Sequence, residues 1–222
     1  MLRQVFHDKS LTLFIAAFEP FGGRDCNTSA DLLHALKSSG LPPGIQLAGD
    51  AVLPVDFATA WKRLGPEIRQ TKPDLLLLMG EKKGGYLTLE RFAHNKRRDG
   101  NSQTEILSGK PKRLNTRAKL DQIFEMLRQL GQNRFRPGKY AGDYLCNYIY
   151  FMALMSEPEL PALFLHVPAR TANQFSAAKN AWLNAMHDLL SAWAAYPGSI
   201  GDVRDRIKAI DGAATNDMPR EN

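Results

Sequence analysis

Cysteine is scarce in this 222-residue chain, which holds only Cys26 and Cys146. Two thiols make no disulfide framework, and the simpler reading is a reduced, cytoplasmic chain in which both stay free. Long apolar runs are lacking too. Runs such as Leu75–Met79 fall far short of the roughly 20 residues that a membrane-spanning helix needs, so no membrane partner is expected. The opening MLRQVFHDKS has no apolar stretch followed by a small-residue cleavage site, and no secretory signal is expected. No cluster of His, Cys and carboxylates has metal-ligand spacing, and no glycine loop of the phosphate-cradling kind occurs. Neither a metal nor another cofactor is expected.

What the chain does have is positive charge. Its formal net charge is +6, with basic clusters in HNKRRDG (94–100) and GKPKR (109–113). Neither is interleaved with a nucleic-acid module, so solvated basic loops are the expectation rather than a nucleic-acid partner. Hydrophobic residues make up 44% and charged residues 23%, the balance of an ordinary globular protein. The length suits one domain with a single good core. We expect a single α/β domain over 1–200 and a polar, mobile C-terminal tail over 201–222, where the apolar pattern fades.

Five apolar runs read as strands: Leu11–Ala17, Gln46–Val55, Asp74–Gly80, Tyr86–Phe92 and Ala162–Val167. DLLLLMG and ALFLHV are continuously apolar, as strands covered on both faces would be. Tyr86–Phe92 alternates, which suits an edge or antiparallel strand. Helices are expected over Ser29–Lys37 behind Asn27, over Phe57–Gln70 behind the cap Asp56, and over Arg117–Leu130, where apolar residues recur at helical spacing. A helix should also follow the capping-box match Thr171-Ala172-Asn173-Gln174 and run to about Ala195. Strands alternating with helices argue for an α/β sandwich around a mostly parallel sheet.

The stretch KYAGDYLCNYIYFMALM reads as a glycine-containing turn followed by a helix. Cys146 would then sit in the first turn, where peptide dipoles favour a thiolate; a buried core cysteine is the plainer account. His166 ends the run ALFLHVP, and carboxyl ends of parallel strands line the sites of open α/β sheets. Its imidazole could take a proton from a thiol and return it to a leaving amine, or simply satisfy a backbone carbonyl. Glu90, a carboxylate within the apolar alternation YLTLERFAHN, could orient that imidazole or pair with a surface cation such as Arg91. His94 is a weaker candidate; His34 and His187 fall inside helices, and His7 lies near the N-terminus.

Four separated stretches carry a family resemblance: FEPFGG with Asn27 after it, LPVDF, TLERFAHN, and AGDYLCN paired with LFLHVP. In these the chain resembles pyroglutamyl peptidase I, the pyrrolidone-carboxylate cysteine peptidases, from Leu11 to about Ala195. The resemblance implies a phosphorylase- or hydrolase-like fold, a three-layer α/β/α sandwich with a mostly parallel, mixed sheet. It also implies a cysteine omega-peptidase that removes N-terminal pyroglutamate from small peptides through a thiol acyl-enzyme. Cys146 would be the nucleophile, His166 the general base and acid, and Glu90 the orienting carboxylate. Phe18 and Phe21 would hold the pyroglutamyl ring. It also implies a homo-oligomer, a dimer or tetramer. The segment Glu81–Lys83 departs from the family, placing three charges where small residues are usual, in a connection one residue shorter. Pointing inward, those charges would set the pocket against an uncharged lactam. The alternatives are therefore a same-site hydrolase of another small cyclic amide or acyl group, or a non-catalytic peptidase-like binding protein.

Overall fold

The structure is a computed structural model and describes residues 10–196; the tail expected over 201–222 lies outside the described residues, as does His7. Fourteen elements follow in order. The first half comprises β1 (Leu11–Phe18), α1 (Thr28–Ser39), β2 (Ile45–Leu53), α2 (Phe57–Thr71), β3 (Leu75–Lys82) and β4 (Leu87–His94). A short hairpin, β5 (Arg97–Asp99) and β6 (Ser102–Thr104), precedes β7 (Arg113–Asn115). Then come α3 (Leu120–Gln129), β8 (Phe135–Tyr140), α4 (Leu145–Ser156), β9 (Ala162–Pro168) and α5 (Ala172–Ala195).

The main sheet has the order β2-β1-β3-β9-β4-β7, with β8 also paired to β4. β2, β1, β3 and β9 run parallel to one another, and β4 runs antiparallel to β9. Alternation of side chains then splits the core in two. Leu13, Leu77, Leu89 and Leu165 face one layer with α1, α3 and α5, whereas Phe14, Leu76 and Phe164 face the other with α2 and α4. The three-layer α/β/α sandwich expected from the sequence is the one found.

The helix starts follow the sequence closely. Asn27 accepts from the Ser29 N–H, Asp56 from the Thr59 N–H, and Thr171 and Gln174 form a capping box. Each such cap supports its helix by about 1 kcal/mol. Of the two expectations for β4, the antiparallel one holds: it runs antiparallel to β9 and β7 and is no edge, with β9 on one side and β8 and β7 on the other. Its polar Thr88 and Glu90 are buried. β8 does not stand out as a strand in the sequence, because FRPGKY holds a proline and a glycine and buries only Phe135. Its place comes from the parallel backbone ladder to β4.

Candidate active site

From β1 the chain moves outward to β2 and then returns to the other side of β1 with β3. At such a switch point the carboxyl ends of the strands splay and leave a crevice. A cavity of about 230 Å³ opens there, lined by Phe18 at the end of β1, Glu81 on β3, His166 on β9, and Cys146 at the start of α4. That volume is below the roughly 300–1,000 Å³ of sites for drug-sized ligands. It suits a small ring rather than an extended chain.

Period-two alternation brings the polar residues onto one sheet face. Phe164 and His166 on β9 face α4, as do Leu76 and Leu78 on β3, and Gly80 continues that row. On β4 the core-facing Leu87 and Leu89 alternate with Thr88 and Glu90. Thr88 pairs with His166 across the antiparallel ladder, and Glu90 pairs with Phe164. His166 Nδ1 thus comes 2.8 Å from Glu90 Oε1, with the side chains only 8% and 2% exposed. Bonded this way, the carboxylate accepts the Nδ1 proton and leaves Nε2 as the free nitrogen. Lys82 Nζ lies 3.3 Å from the same oxygen, so the buried carboxylate has a cation beside it. Glu90 Oε2 has no hydrogen-bond partner among the described residues. It packs against Gly138 of β8, where a Cβ would collide with the carboxylate.

Cys146 is the second residue of α4, as the sequence implied. Gly142 precedes the helix with φ +85°, a left-handed turn that favours glycine. Tyr144 occupies the cap position without a side-chain hydrogen bond. The first N–H groups of a helix have no partner within it, and here Tyr144, Leu145 and Cys146 line the cavity. Hydrogen bonds to the neighbouring strands fix this end of the helix. Asn147, fully buried, accepts from the His94 N–H and donates to the His94 and Lys96 carbonyls, each at 2.8 Å. Arg98 Nε donates to Asp143 at 3.0 Å, pinning the β5–β6 hairpin to the turn before the nucleophile candidate. Beneath Cys146 lies Gly80: a Cβ there would stand 2.8 Å from Sγ. Because Gly80 pairs with His166 across the β3–β9 ladder, the sulfur sits over the strand next to the imidazole.

The expected acidity of the thiol is reversed. Burial pushes Cys146 up to about 12, and the Glu90 and Glu81 carboxylates act in the same direction, outweighing the backbone N–H that favours thiolate. Cys146 therefore rests as a neutral thiol. Cys26 is also free and lies apart, its sulfur 3.6 Å from the Arg170 carbonyl.

Phe18 is buried and Phe21 is 44% exposed, and both line the cavity. Glu81 and Lys82 belong to β3 rather than to a loop, and their side chains part. Lys82 turns to Glu90. Glu81 lines the cavity with a side chain 2% exposed, but Arg24 pairs with Oε2 and the Thr28 N–H donates to Oε1. The inward charge is thus neutralised by the loop after β1. Nothing in the sequence pattern pairs Arg24 with a residue 57 positions away. His94 stays out of this cavity and packs on Tyr140 with ring centroids 4.9 Å apart.

Comparison with known proteins agrees with this architecture. Human pyroglutamyl-peptidase 1 is 25% identical over 189 residues, covering 79% of this chain and 90% of that protein. The pyrrolidone-carboxylate peptidase of Pyrococcus furiosus is 27% identical over 172 residues, covering 71% of this chain and 81% of its own. The crystal structure of pyrrolidone carboxyl peptidase from Thermus thermophilus superposes with a TM-score of 0.68 at 29% identity, over 80% of this chain and 98% of that one. With residues 11–181 matching the sequence model of the pyroglutamyl peptidase family, the chain belongs to that family.

Proposed function

We propose that this protein removes N-terminal pyroglutamate from small peptides, with Cys146 as nucleophile, His166 as general base and acid, and Glu90 as the group that orients His166. One observation carries the reading. The 2.8 Å contact between His166 and Glu90 aims the imidazole at the cavity whose wall also holds Cys146, Phe18 and Phe21.

The chemistry follows from the protonation states. Cys146 begins as a thiol, so its proton passes to His166 Nε2 as sulfur attacks the pyroglutamyl carbonyl carbon. The negative oxygen that forms is met by N–H groups at the uncapped start of α4. The C–N bond then breaks, His166 gives the proton to the departing amine, and a thioester remains on Cys146. Water attacks the thioester while His166 takes its proton. The free acid leaves and the thiol is restored. Glu90 holds one tautomer and favours the imidazolium formed at each attack. Phe18 and Phe21 enclose a flat, uncharged lactam, and a free ammonium would enter that apolar end as an unpaired charge. Because Arg24 and Thr28 already occupy the Glu81 oxygens, the pocket is not set against a neutral ring.

The decisive experiment is turnover of a pyroglutamyl-arylamide under reducing conditions. Activity should be present in the parent and absent in Cys146→Ser, which keeps the shape and loses the sulfur. Failure of the parent to cleave it, with hydrolysis of other small cyclic amides instead, would assign a different substrate to the same machinery. A cytoplasmic setting and a dimer or tetramer accompany this reading, and sedimentation velocity tests the second.

A further inference from the structure

A second cavity, of about 330 Å³, lies on the other side of the His166–Glu90 pair, between the β3–β4 connection and β8. Across the sheet the order is fixed by the ladders: Gly80 beneath the sulfur, then His166, then Thr88 on β4, then β8. The first cavity holds Phe18 and Cys146, and the second holds Thr88, Lys82, Arg136 and Lys139. Passing from one to the other means crossing His166.

We propose that this second cavity seats the departing peptide and selects leaving groups with a carboxylate close to the released amine. Such a carboxylate is an acidic residue directly after pyroglutamate, or the free C-terminus of a pyroglutamyl dipeptide. The inference rests on the pyroglutamyl reading above. With the lactam between Phe18 and Phe21 and its carbonyl at Sγ, the scissile nitrogen has to come within reach of His166 Nε2 to be protonated. The chain beyond that nitrogen then runs past the imidazole into the second cavity.

The charges there are unbalanced. Lys82, Arg136 and Lys139 oppose one carboxylate, Glu90, whose Oε1 already faces Lys82 and whose Oε2 is buried against Gly138. Arg136 is held rigidly: Nη1 donates to the Asn133 and Phe135 carbonyls at 2.8 Å, and the guanidinium lies 3.9 Å from the Tyr86 ring centroid. Its Nη2 has no protein partner among the described residues, and Lys139 makes neither a hydrogen bond nor an ion pair there. A fixed guanidinium presents a planar fork to a carboxylate. A flexible ammonium beside it adds attraction at little cost in fit.

The test compares kcat/KM for pyroglutamyl-alanine, pyroglutamyl-alanine amide, pyroglutamyl-glutamate amide and pyroglutamyl-lysine amide, with the neutral arylamide as reference. Pyroglutamyl-alanine and the glutamate amide should each exceed the alanine amide by about tenfold, a size typical of a charge-assisted contact that solvent partly reaches. The lysine amide should be the poorest. Raising salt from about 20 mM to about 0.5 M should shrink these ratios. In Lys139→Glu and in Arg136→Gln the ratios should fall towards one. Because ratios are compared within one preparation, a partly unfolded variant does not mimic the effect. Comparing the dipeptide with the glutamate amide tells which carboxylate is read. Equal values for all four peptides, or ratios unchanged in both variants, overturn the assignment while arylamide turnover persists. Loss of arylamide turnover in the parent overturns the functional reading itself, and this inference with it.

Discussion

Replacing Gly80 by alanine probes how closely the sheet holds the Cys146 sulfur proposed as nucleophile. The added methyl would stand 2.8 Å from Cys146 Sγ and 3.0 Å from Phe164 Cζ. Ordinary non-bonded contacts between carbons lie at about 3.5–4.0 Å, and sulfur is larger. The thiol therefore has to withdraw by roughly 1 Å, because Gly80 itself is locked in the β3–β9 ladder opposite His166. A misplacement of that size costs about 100-fold in rate, or about 2.7 kcal/mol of barrier. Stability should respond less. Overpacking costs about 1–3 kcal/mol, and loss of glycine from a strand returns about 0.5–1 kcal/mol. The net shift in Tm is then at most several degrees. The measurement is kcat/KM on a pyroglutamyl-arylamide beside a thermal melt of the same sample. Activity within threefold of the parent, with the protein folded, would refute the placement of Cys146 over Gly80.

Glu90→Gln should keep the fold and lower kcat by roughly 10²–10⁴-fold, since an amide at 2.8 Å no longer stabilises the imidazolium; near-parental turnover would remove Glu90 from the mechanism. The free enzyme should alkylate slowly with iodoacetamide at neutral pH, its rate climbing into the alkaline range, because burial holds Cys146 up to about 12. The sign for stability follows: an unfolded thiol ionises above roughly pH 8.5 while the folded one stays protonated, so stability falls as pH rises beyond that value. Cys146→Ala should lessen this alkaline loss in urea unfolding. Arg24→Ala leaves Glu81 charged and buried without its cation. Because the Arg24 side chain is itself about a third exposed, the expected destabilisation is about 1–3 kcal/mol rather than the full cost of breaking a buried pair. It should be joined by a raised KM for the pyroglutamyl substrate.

Strands covered on both faces were the easiest elements to read. β1, β3 and β9 are continuous apolar runs because helices press on them from both sides. Helix starts were readable for another reason: Asn27, Asp56 and Thr171 each satisfy a backbone donor that the helix itself cannot. β8 was not readable, since its position depends on backbone pairing rather than on side chains. The alternation of β4 left an edge and an antiparallel strand open; it is the antiparallel one, and Glu90 interrupts its apolar pattern where it meets His166. The individual members of that site could be singled out in the sequence, but their meeting could not. Nor could the sequence reveal the Lys82–Glu90 and Arg24–Glu81 pairs, or the burial that reverses the acidity of Cys146.

The antiparallel pairing of β4 with β9 has a practical consequence. The imidazole and its carboxylate sit on neighbouring strands whose alignment is dictated by main-chain ladders: Thr88 opposite His166, Glu90 opposite Phe164. A slip of one residue would turn Glu90 to the far face of the sheet, so the alignment tolerates no drift. The short link between β3 and β4 takes no part in that alignment. It is open to rewriting in length and charge, which makes it a place where the proposed substrate preference can be retuned while His166 and Glu90 stay where they are.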